Sequence, residues 1–219
     1  MNISDNPSLP TDAASRHRRD LLKLIGASLA LPFASCATSG SGGSGVNLGS
    51  GDTGLMNYAL VLEGLEAAFY THVMERPYAG MSGEEGRILK DIRDHEIVHR
   101  DFFRAALGAN AIPQIEYTFA RVDFSSRASV LVTAQTFEDL GVAAYNGAGS
   151  GVKDPAILTI AGKIVSVEAR HASVIRDLMS PFSGSFAPDA LDTASGSREV
   201  LRKAAPFVVT KLNANHLPA

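Results

Sequence analysis

Two Glu-x-x-His tetrapeptides, Glu96-Ile97-Val98-His99 and Glu168-Ala169-Arg170-His171, carry the residue types best suited to chemistry in this chain. On a helix, residues three apart share a face about 4.5 Å apart along the axis, so a carboxylate and an imidazole can reach one metal ion. Oxygen and imidazole donors suit iron or manganese. Two further glutamates join through an internal repeat. The run Leu62-Glu63-Gly64-Leu65-Glu66-Ala67-Ala68-Phe69-Tyr70 aligns without a gap on Phe137-Glu138-Asp139-Leu140-Gly141-Val142-Ala143-Ala144-Tyr145. Glu63 thereby meets Glu138 and Tyr70 meets Tyr145, whereas Glu66 falls opposite Gly141, which selects Glu63 as the ligand candidate. Each run precedes one Glu-x-x-His motif, with 33 residues from Glu63 to Glu96 and 30 from Glu138 to Glu168.

The expected site is therefore Glu63, Glu96, His99, Glu138, Glu168 and His171. Four carboxylates converging in an apolar interior repel one another and lose hydration. Two divalent cations would bring four positive charges, and two neutral imidazoles would complete the set. The competing reading, six residues on solvated helix faces, fits poorly with Glu63 inside Ala-Leu-Val-Leu-Glu-Gly-Leu. Tyr70 and Tyr145 follow their glutamates by two helical turns on nearly the same face. Each could hydrogen-bond a ligand carboxylate, act as a one-electron donor, or simply pack. His95 points about 100° away from Glu96 around its helix, to the surface or behind the ligands. His72 and His216 read as solvated.

The elements that must position these residues are helices. Residues 55–73 are apolar on most sides. Gly83-Glu84-Glu85 opens a second helix, acidic in its first turn, that Gly108 stops. Ser125 or Ser126 caps a third, running to about Tyr145. Asp154-Pro155 opens a fourth, with Asp as cap and Pro at the first helical position, continuing to about Met179 before Pro181. Short connections join the first pair and the second pair. The segment 108–124 between the pairs is long enough, at about 3.3 Å per residue, to run the ~30 Å length of a helix. The expectation is an all-α four-helix bundle over 55–181, made of two helical hairpins and one long crossover. A tail, 182–219, with one short helix over 197–205, is expected to pack on its outside.

Bulk properties narrow the function. The chain has 219 residues, 45% hydrophobic and 20% charged, as in an ordinary globular domain. A net charge of −3 gives no reason to expect nucleic acid as a partner. The single cysteine, Cys36, excludes an internal disulfide and any Cys-based zinc or iron–sulfur site. No apolar run approaches the roughly 20 residues that span a bilayer. Residues 1–37 have the order of a signal peptide: Arg18-Arg19-Asp20-Leu21-Leu22-Lys23, a short apolar segment, then small residues. The paired arginines resemble a twin-arginine export signal, which implies the export machinery as a partner and a periplasmic or cell-envelope location. Phe33-Ala34-Ser35-Cys36 resembles a lipobox with Phe33 in the usual aliphatic place. Two readings stay open for Cys36, a lipid anchor or a small unused cysteine. The Gly/Ser-rich stretch 38–54 reads as a flexible tether.

The repeated Glu and Glu-x-x-His set resembles the ferritin-like di-iron and di-manganese carboxylate superfamily, over roughly residues 55–209. In particular it resembles the exported bacterial ferritin-like domain proteins, related to plant desiccation-associated proteins. The resemblance implies that the six residues are ligands of two iron or manganese ions acting on dioxygen or peroxide, but it does not specify a reaction. Ferroxidase, peroxidase and catalase-like activities stay open. A rubrerythrin-type electron-transfer peroxidase is disfavoured, because the four cysteines of its second iron site are missing. The tether and tail argue against a closed ferritin cage. The alternative is a non-enzymatic stress or envelope protein whose metal is structural or vestigial. Oligomeric state is not legible.

Overall fold

The computed structural model describes residues 45–218. The segment expected to be an export signal, with Arg18, Arg19 and Cys36, and the expected tether up to residue 44 lie outside the described residues. Four long helices make the fold: α1 (Gly51–Glu75), α2 (Gly83–Leu107), α3 (Arg127–Gly149) and α4 (Pro155–Met179). A short α5 (Ser197–Ala204) lies in the tail. The local signals for these helices are satisfied as hydrogen bonds. Ser82 accepts from the Glu85 amide at 3.0 Å, Ser126 from Ser129 at 3.3 Å and Asp154 from Ala156 at 2.8 Å. Each side-chain oxygen takes a helix N–H that has no partner within its own helix. Gly108 ends α2 at φ 53°, a left-handed conformation that suits glycine.

Helix α1 packs chiefly against α2, and α3 against α4, so the chain is two hairpins joined by a long crossover: an all-α ferritin-like bundle with a short helix in its tail. Helix α1 is buried on nearly every side, which explains why it is apolar all round. Its buried Asn57 pins the crossover: the side-chain amide donates to the carbonyls of Leu48 and Asn110, and its oxygen accepts from the Ile112 amide, each at 3.0 Å. Further along, the Tyr117 hydroxyl donates to the Val61 carbonyl at 2.8 Å. It fits there because residue 64 is glycine; a Cβ at that position would lie 2.3 Å from the hydroxyl oxygen.

The N-terminal boundary differs from the sequence reading. Helix α1 begins at Gly51 rather than Leu55, and the stretch before it is not a tether over its whole length. Strand β1 (Val46–Asn47) pairs in parallel with β2 (Leu212–Asn213) of the tail, and Leu48 is fully buried. The tail also docks through the Ser195 amide, which donates to the Ala143 carbonyl at 2.9 Å. A Cβ on Gly147 would lie 1.9 Å from the Ser195 carbonyl oxygen, so close docking requires glycine there. Among the described residues, no helix is long and apolar enough to cross a membrane.

Candidate metal centre

One buried cluster in the middle of the bundle collects all six expected residues. Glu63, Glu96, Glu138 and Glu168 have no exposed surface, and His99 and His171 are buried beside them. The cluster divides into two overlapping groups: Glu63, Glu96, Glu168 and His99, and Glu96, Glu138, Glu168 and His171. In each group the potential ligand atoms all lie within 4.8 Å of one another. His99 Nδ1 is 3.2 Å from Glu63 Oε2, 2.9 Å from Glu168 Oε1 and 3.5 Å from Glu96 Oε2. His171 Nδ1 is 2.8 Å from Glu96 Oε1, 3.4 Å from Glu138 Oε2 and 3.6 Å from Glu168 Oε2. Glu96 and Glu168 therefore turn one oxygen to each group.

These eight atoms have no hydrogen-bond partner. Buried polar atoms are almost always hydrogen-bonded, so eight that meet only one another, at ion-pair distances and without hydrogen-bond geometry, mark a place that can receive a cation. The remaining oxygens of the two outer glutamates are occupied. The Tyr70 hydroxyl donates to Glu138 Oε1 at 2.5 Å, and the Tyr145 hydroxyl donates to Glu63 Oε1. Each tyrosine thus reaches the glutamate of the other hairpin and orients its second oxygen inward. Behind the cluster, the His95 ring stacks on His171 with centroids 5.2 Å apart, and His95 Nδ1 lies 3.0 Å from His171 Nε2. Contact with the outer nitrogen of a metal-binding histidine orients its ring. His95 thus lies behind the carboxylate–imidazole cluster rather than on the open surface.

Charge is distributed unevenly. Burial pushes Glu63 well above the ordinary carboxylate range, more than His99 lowers it. Burial likewise raises Glu138, to about 8, against the pull of His171. Glu96 and Glu168 meet the same burial, but the imidazoles on both sides outweigh it and hold both below the ordinary range. Burial works against protonation of His99 and His171, yet the surrounding carboxylates raise both well above a free imidazole. Without a metal, two imidazolium ions balance two carboxylates, and the remaining acids keep their protons.

Glu66 is the residue that the repeat alignment set aside, and it lies in the same interior, 3% exposed. A Cβ on Gly141 would lie 3.1 Å from Glu66 Oε1 and 3.8 Å from Glu168 Oε2. The glycine opposite Glu66 makes the space that its carboxyl fills. Burial first, then the carboxylates of Glu96, Glu168, Glu138 and Glu63, push its pKa well above the ordinary range. The signal was present in the sequence: Glu66 follows Glu63 by three residues, within the same apolar run.

Among curated proteins, none matches the chain. The sequence profile of the ferritin-like domain family matches residues 51–181. That match takes in all four long helices and with them every residue of the cluster, so the chain belongs to the ferritin-like domain family.

Proposed function

We propose that the cluster binds two iron or manganese ions and acts on dioxygen or peroxide in the cell envelope. The observation that carries this reading is the division of eight inward atoms without hydrogen-bond partners into two sets of four, with Glu96 and Glu168 contributing to both. Glu63 and His99 would hold one ion, Glu138 and His171 the other, and Glu96 and Glu168, which belong to both groups, would contribute to each. Two divalent ions against four carboxylates leave the interior neutral. A pair of such ions supplies one-electron redox steps toward dioxygen or peroxide. The protein's own part is to keep the outer glutamates oriented through Tyr70 and Tyr145. Both phenols retain their protons, because burial and the adjacent carboxylates raise their pKa values. Export by the twin-arginine route, with or without a lipid on Cys36, belongs to the same proposal.

Elemental analysis of protein purified from its own host tests it directly. Two iron or manganese ions per chain are expected, and the paired substitution Glu168→Ala with His171→Ala should remove at least one while the helices persist. A second reading has its own support: the cluster can neutralise itself with protons alone, as an envelope protein without metal chemistry would require. Metal-free protein from the host, with melting unaffected by added iron or manganese, would favour that reading.

A further inference from the structure

A half-open cavity of about 30 Å³ lies where α1 and α4 begin and α2 and α3 end. Ala59, Leu62, Phe103, Ala144, Tyr145 and Ile157 are among its walls, and almost no polar atom faces it. A void needs about 10–15 Å³ to admit one water, and water also needs two to four polar partners. This space is large enough for a guest of two or three heavy atoms but offers such a guest no hydrogen bonds. Peroxide would give up hydration on the side facing these apolar walls without compensation. A small apolar molecule would not.

The cavity's position follows from a break in the internal repeat. Around Tyr70, Phe69 and Phe137 close the interior, with ring centroids 5.1 Å from Phe69 to Tyr70 and 5.2 Å from Phe69 to Phe137. The repeat places Ala144 where the first hairpin has Phe69, and Leu62 where the second has Phe137. Both smaller residues line the cavity. Tyr70 is sealed, with no exposed surface, whereas Tyr145 is partly exposed. The Tyr145 ring is a cavity wall, and its hydroxyl reaches Glu63. A guest in the cavity is therefore separated from the carboxylate cluster by the Tyr145 side chain.

We propose that this cavity is a docking place for one molecule of dioxygen, and that the cluster is reached from the Tyr145 side. The proposal rests on the reading of the cluster as a metal centre, and within that reading it selects dioxygen over peroxide. Ala144→Phe restores the repeat and fills the cavity. Ala161→Leu fills it from a partly exposed wall, with less risk to folding. Crystals of the full chain under xenon pressure should show xenon against Ala144 and Tyr145 in the wild type and in neither variant. With metal content unchanged, the reduced, metal-loaded variants should react with dioxygen at least about tenfold more slowly, a barrier higher by about 1.36 kcal/mol. Their reaction with peroxide should change little. No xenon in the wild-type cavity, or an unchanged dioxygen rate in a folded variant that excludes xenon, overturns the proposal. Wild-type protein that binds no metal overturns the underlying reading as well, and elemental analysis registers that outcome separately.

Discussion

Titrating the metal-free protein with a divalent ion should expel about four protons for every two ions bound. The number comes from the distribution of charge in the cluster. His99 and His171 are held protonated by their carboxylate neighbours, and Glu63 and Glu138 by burial. Each must give up one proton to become a ligand. Glu96 and Glu168 are already ionised and contribute none. Glu66 stands outside both ligand groups and keeps its proton. Four positive charges enter and four leave, so the interior stays neutral. Each proton released changes the binding free energy by about 1.36 kcal/mol per pH unit, and four give about 5.4 kcal/mol, a factor of about ten thousand in the combined affinity. The release should fall as pH rises past about 8, where Glu138 is already ionised before metal arrives. Isothermal calorimetry in buffers of different ionisation enthalpy counts the protons directly. Release of one proton or none per pair of ions would refute the charge assignment and the six-ligand set together.

The melting temperature of the metal-free protein should fall as pH rises from about 5 to about 8. Glu63, Glu66, Glu138 and both imidazoles have raised pKa values, so their stabilising contribution is complete at low pH and lost as pH rises; Glu96 and Glu168 are lowered and lose theirs only on acidification. Bound metal should abolish the decline, which scanning calorimetry would register. Glu63→Ala should leave at most one ion per chain while Glu66→Ala keeps two; the opposite pattern in elemental analysis would show that the repeat is read in the wrong register. Gly147→Ala should cost about 1–3 kcal/mol in denaturant unfolding, because its Cβ would meet the Ser195 carbonyl oxygen at 1.9 Å and push the tail away. Lysines at both Arg18 and Arg19 should trap an unprocessed precursor in the cytoplasm, seen by fractionation, and fatty-acid labelling that Cys36→Ser removes would identify a lipid anchor.

The sequence by itself determined what depends on neighbours along the chain. Caps at Ser82, Ser126 and Asp154, the stop at Gly108 and the three-residue spacing of Glu96 with His99 and of Glu168 with His171 are local. Their hydrogen bonds and helical faces form within a turn or two, so the order of types is enough to read them. The internal repeat extended that reading to two hairpins and six converging residues. Tertiary structure decided whatever depends on the residue facing across the bundle. Glu66 is interior because Gly141, distant in sequence, leaves it room. His95 belongs to the site because it meets His171 of α4. Gly45 to Ser50 leaves the tether because β1 finds β2 more than 160 residues later, and two-residue strands carry no periodicity to announce themselves. Tyr70 and Tyr145, equal in the repeat, part company for the same reason: aromatic rings close around one and small side chains leave space beside the other. Packing is a property of both surfaces in a contact, and a single stretch of chain specifies only one of them.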